Sequence, residues 1–132
     1  MKLLVLAPEP IDAAVLRSAF GDEVQGAEVQ VVSPALNSSP LAFWVSDPDE
    51  AIEEAQETQA RTVETLRDEG IEASGDTGEG EPLQALQDAL VTFPADKIAI
   101  FIRSDDEQRY REDDVAGEAE RRFGCPVVQH TL

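Results

Sequence analysis

The sequence predicts an α/β fold: a five-stranded parallel sheet, doubly wound, with helices on both faces. Three observations predict it. Short apolar runs alternate with helix-period segments along the whole chain. The first run is continuously apolar, the mark of a strand buried on both faces. The connections are short, so successive strands lie parallel through right-handed crossovers.

Each element has its own signal. KLLVLA, Lys2–Ala7, is the first strand, stopped by Pro8 and Pro10. Pro10 opens the first helix, where a missing N–H costs little. Ile11, Ala14, Val15 and Ala19 form its apolar face, and Gly21 ends it. EVQVVSP, Glu28–Pro34, is the second strand, followed by a long loop, Ala35–Ser46. The second helix has Asp47 as N-cap, Pro48 as first helical residue and Glu50 completing a capping box. Ile52, Ala55, Val63 and Leu66 approximate one face, Gly70 is the C-cap and Ile71 the apolar residue beyond it. Ile71–Gly75 is a weak third strand, and DTGEGEP a turn. Pro82 opens the third helix, on which Leu83, Leu86, Ala89, Leu90 and Phe93 recur with helical period. KIAIFI, Lys97–Ile102, is the fourth strand. A last helix runs from about Asp113 to Phe123, with Val115, Ala116, Ala119 and Phe123 inward, and Pro126–Thr131 is the fifth strand. The 132 residues fit one domain, 1–132, with a real core.

Composition narrows the partners. The formal charge is -18, with 42% hydrophobic and 29% charged residues. Phosphate backbones are held by clustered Lys and Arg, so nucleic acid is excluded as a partner, and an anionic membrane surface with it. The acid excess fits two readings, plain solubility and self-repulsion or a high-salt cytoplasm. MKLLVLAP is too short for a signal peptide, and no apolar run approaches the roughly 18 residues of a membrane span. Cys125 is the only cysteine, so a reduced, cytoplasmic setting is the expectation.

Sites of chemistry are few. His130, the only histidine, has no second ligand for zinc and no nucleophile to serve. Cys125, before Pro126, reads as a buried, inert thiol. The acids Asp105, Asp106 and Glu107 lack the spacing of a calcium loop and read as a solvated loop. Phe43 and Trp44 either stack on a flat ligand or tuck under the loop as a satellite core. Asn37, Ser38 and Ser39 either bind such a ligand or serve as turn residues. No catalytic constellation and no metal site emerge.

Two segments carry a family resemblance. GEPLQALQDAL resembles the G-x-P-x-x-x-I segment that opens the third helix of universal stress proteins, and FGCPVVQHT resembles their closing c-P-V strand. The long loop before the second helix also fits. A receiver domain, the other five-stranded comparison, needs acids after its first strand where this chain has APEP. The resemblance implies the sheet order 3-2-1-4-5 and membership of an adenine-nucleotide-binding superfamily.

It also implies what is missing. ATP-binding members of that family carry an Asp after strand one, a G-x-x-G loop after strand four and a G-S/T pair opening the last helix. Here those places read Pro8, RSDDEQ and Asp113-Asp114. Helix N-termini favour anions, and Asp113 and Asp114 fill that place themselves as N-cap and first-turn acid. A phosphate at about 4 Å from each would meet repulsion of roughly 4 kcal/mol per contact at an effective dielectric near 20. The usual ATP mode is therefore lost, and no cofactor is expected.

In a doubly wound sheet of this order, a ligand sits at the carboxyl ends of strands one and four. The lining candidates are Pro8, Glu9, Ser33, Arg103 and Ser104, with Arg103 as the anchor for an anion. The fifth strand is an edge without a charged residue, so Val127, Val128, Gln129 and His130 are the candidates for a homodimer seam. The resemblance implies the same dimer. The functional expectation is a non-catalytic, stress-related association protein. A small-ligand sensor with a divergent pocket is the alternative, and a hydrolase or transferase of the superfamily the third.

Overall fold

The computed structural model describes residues 1–34, 48–78, 82–104 and 114–132. Its strands are β1 (Lys2–Leu6), β2 (Glu28–Pro34), β3 (Glu72–Gly78), β4 (Lys97–Ile102) and β5 (Val127–Thr131). Between them lie α1 (Ala13–Phe20), a 3-10 turn (Gly21–Val24), α2 (Pro48–Asp68), α3 (Pro82–Thr92) and α4 (Val115–Phe123). The strands form one five-stranded sheet in the order β3-β2-β1-β4-β5, and every pairing is parallel. This is the expected order.

Strand alternation sorts the core into two layers. Leu3, Val5, Ala7, Val29, Val31, Ala99 and Phe101 face α1 and α2, against Ala13, Leu16, Phe20, Val63 and Leu66. Leu4, Leu6, Val32, Ile98, Ile100 and Ile102 face α3 and α4, against Ala85, Leu86, Val115 and Ala119. The central strand β1 is buried on both sides, which is why its sequence shows no polar alternation.

The first helix departs from the expected phase. Asp12, not Pro10, sets its start: the carboxylate accepts the Val15 N–H at 3.0 Å. The buried face is therefore Ala13, Leu16 and Phe20, while Ala14 is exposed. Ile11 is buried in the lead-in, and its N–H donates to Thr62 Oγ1 at 3.2 Å.

The end of α2 is as expected. Gly70 is left-handed at φ 84°, its N–H reaches Arg67 O at 3.0 Å, and the Ile71 N–H reaches Leu66 O at 2.9 Å. These are the two bonds of a Schellman stop, with Ile71 folded back into the core. The third strand runs further than expected, from Glu72 to Gly78, because β2 offers partners as far as Pro34↔Gly78. The fifth starts at Val127, one residue later than expected, although the Pro126 carbonyl still accepts the Ile98 N–H at 3.0 Å.

Candidate functional site

The candidate site lies where β1 and β4 end side by side. Beyond β1 the chain continues through Pro8 and Glu9, and Arg103 follows β4 directly. Arg103 turns back toward the first loop: Nε lies 3.1 Å from Glu9 Oε1, and Nη2 donates to the Pro8 carbonyl at 3.2 Å. Three of the five expected lining residues are thus brought together. The anion that Arg103 meets is Glu9's own carboxylate, so the expected anchor is already paired. Both side chains are partly exposed, so the pair holds geometry more than it adds stability.

Ser33 sits near the end of β2 with 1% exposure, and its hydroxyl has no hydrogen-bond partner among the described residues. By alternation it shares the α1–α2 face with Val29 and Val31. Ser104 is exposed. The loop residues Asn37, Ser38, Ser39, Phe43 and Trp44, the acids Asp105, Asp106 and Glu107, and the caps Asp47 and Asp113 lie outside the described residues.

The first loop is pinned by residues that sequence reasoning missed. Besides the Thr62 contact, Glu69 reaches from beyond α2 to accept the Ala13 N–H at 2.8 Å. Together, Asp12 and Glu69 take two of the N–H groups at the start of α1, which helices otherwise offer to anions. Thr62 had a faint signal, a short polar residue one helical turn before Leu66 on the apolar side. Glu69 had none.

The last helix corrects a further expectation. Asp114 stands in the cap position but is left-handed, at φ 49° and ψ 50°, and its side chain makes no cap hydrogen bond. Its carboxylate instead lies 3.5 Å from Arg121 Nη2 and against Gly117, where any Cβ would press on it. The acid of the first turn is Glu118. Arg121 and Arg122 hydrogen-bond its carboxylate and hold it below the ordinary glutamate range.

Register assigns each backbone group of the β5 edge. The Ile98 N–H bonds Pro126 O, and the Leu132 N–H bonds Ile102 O at 2.7 Å. With Ile98↔Val127 in register, the backbones of Val128 and His130 serve β4, while those of Val127, Gln129 and Thr131 point outward. The four seam candidates therefore do not act alike. Val127 and Gln129 present backbone to a neighbour, and Val128 and His130 do not. The Val127 N–H is taken as well, by Glu120 Oε1 at 3.1 Å. His130 packs edge-on against Phe101, with ring centroids 5.7 Å apart.

Cys125 is half-buried rather than fully buried. Burial pushes its thiol up, with help from the nearby acids Glu120 and Asp96, which keeps it protonated. Among the described residues no group of three or more His, Cys, Asp or Glu could hold a metal, and no helix is long and apolar enough to cross a membrane.

No protein-family model matches this chain, and no curated protein matches it. A solved structure does: the universal stress protein from Archaeoglobus fulgidus in complex with dAMP, with a TM-score of 0.63 and 28% identity. The match covers 98% of this chain and 96% of that one. The chain thus has a universal-stress-protein-like α/β fold.

Proposed function

We propose that this chain is a non-catalytic, stress-related protein of the universal stress protein type that acts by association, as a homodimer joined along β5. The observation that carries the reading is the edge itself: a half-buried strand with no charged residue, and with Gln129 and Thr131 directing backbone groups outward. Two copies join there by antiparallel pairing about a two-fold axis, a contact that closes the assembly. The usual ATP mode is not part of this function, because Arg103 is committed to Glu9 and the last helix opens on an acid. Sedimentation across protein concentration and salt tests the dimer. A monomer at high concentration in both low and high salt rejects it.

A second reading has its own support. Ser33 keeps a buried hydroxyl, without a partner among the described residues, at the carboxyl edge of the sheet, and the solved neighbour holds dAMP. On this reading the chain senses a nucleotide or similar small molecule in a divergent pocket beside Pro8, Glu9 and Arg103. Calorimetry with ATP, AMP and cyclic AMP separates the two. Tight, magnesium-dependent ATP binding that survives Arg103→Ala overturns the expected loss of ATP binding in the first reading and shows that groups other than Arg103 hold the nucleotide.

A further inference from the structure

The sheet has a second open edge, β3, and its chemistry differs from that of β5. In β2, the Glu28 N–H bonds Met1 O at 3.0 Å, and Val32 O accepts the Ala7 N–H at 3.0 Å, so the even residues serve β1. The odd residues serve β3. With Val29↔Ala73 and Val31↔Gly75 in register, the backbones of Ala73, Gly75 and Thr77 point away from the sheet. One of these groups is occupied, since Arg67 Nε donates to the Ala73 carbonyl at 2.8 Å. Gly75 follows, and its N–H and C=O have no partner among the described residues. Beside it runs a groove of about 440 Å³ along one flank of α2, lined by Gln59, Ala60, Val63, Glu64, Arg67 and Asp68.

We propose that an extended, basic segment of a partner protein adds to β3 as a further strand beneath this flank of α2. Charge selects the occupant. The sequence of α2 holds seven acids against two arginines, and β3 adds Glu72 and Asp76. A second copy of the chain, itself at -18, is repelled from this end, and so is a nucleic acid. Spacing selects it too. Glu64 and Asp68 are four residues apart on one helix flank, a rise of about 6 Å. Side chains on one face of a strand recur at about 6.7 Å. Basic residues at alternate positions of an added strand therefore meet both carboxylates in turn, while the backbone bonds Gly75. This is recognition by strand addition, in which backbone pairing gives affinity and alternate side chains give specificity.

The proposal rests on the association reading only in treating the chain as a binding protein. It uses the edge opposite β5, so a chain that proved monomeric would leave it intact. The test is an NMR titration of the full chain with two capped peptides as long as β3, which has seven residues. One alternates valine and lysine. The other keeps the lysines and has proline for valine, so that it cannot pair as a strand. Expected are shifts at the amides of Ala73, Gly75 and Thr77 with the first peptide, and binding at least about tenfold weaker with the second. Reversing two exposed charges, Glu64→Lys with Asp68→Lys, weakens the first peptide by about tenfold or more. Equal binding by both peptides, shifts confined to α2, no binding by either, or indifference to the charge reversal overturns the proposal.

Discussion

Glu120 on α4 accepts the Val127 N–H at 3.1 Å, and by doing so closes the first outward donor of β5. What remains open is the Val127 carbonyl and the outward backbone groups of Gln129 and Thr131. A second copy pairing with this strand must use them.

Gln129→Pro removes an outward N–H and leaves the bonds to β4 in place. The expected outcome is a folded monomer by circular dichroism with weakened dimerisation by sedimentation. Val128→Pro, in contrast, deletes a bond to β4 and lowers the thermal midpoint of the monomer. Two copies bring -18 each, so association of the unaltered chain strengthens as salt screens them.

Replacing Asp114 with glycine is expected to stabilise the fold. The backbone there is left-handed, a conformation that costs a side-chain-bearing residue about 1 kcal/mol and glycine almost nothing. The ion pair with Arg121, at 3.5 Å, joins two exposed side chains and contributes little. Thermal unfolding should show Asp114→Gly melting a few degrees higher.

Gly75→Ala works the other way. A Cβ at this position meets the Gln59 side chain and lies 2.8 Å from Val63 Cγ2. Gln59 has a flexible end, but Val63 is stiff at χ1 and 8% exposed. A loss of about 1–2 kcal/mol is expected in denaturant titration, with partial recovery in Gly75→Ala, Val63→Ala.

Glu69→Ala leaves the Ala13 N–H without its carboxylate. The expected cost is about 1 kcal/mol, the size of a missing helix cap, and Glu69→Gln recovers part of it through its amide oxygen. Thermal midpoints of the two variants check this.

The Glu118 carboxyl should titrate below the ordinary glutamate range, because Arg121 and then Arg122 hydrogen-bond it. A depressed folded-state value stabilises above the unfolded-state value, and that contribution fades as the pH falls through the folded one. Arg121→Gln should therefore raise the Glu118 midpoint, as read from carboxyl carbon shifts.

Much of this fold is legible in the sequence, and the reasons are local. Continuous apolar runs mark β1 and β4, and Gly70 with Ile71 marks a helix stop in neighbouring residues. The phase of α1 is misread because Pro10 and Asp12 both signal a start, and only the hydrogen bond to Val15 decides between them. The candidate site is legible as a place, since sheet order fixes it, but not as chemistry. That Glu9 neutralises Arg103 depends on two loops distant in sequence. Which backbone groups of β5 face outward depends on the register with β4, and no strand carries that information alone.

Charge is unevenly spread over the described helices and strands. Acids crowd α2 and β3 at one end of the sheet. At the other, the two acids of α4 balance its two arginines and β5 has no charged residue. Among these described elements, β5 is thus the less negative edge of the sheet. In a dimer joined along β5, as proposed, the acid-crowded α2 and β3 of the two copies would lie on the far side of each sheet from the seam. If the proposed β5 dimer forms, the surface charge would therefore shape the approach of its two subunits although it takes no part in the seam.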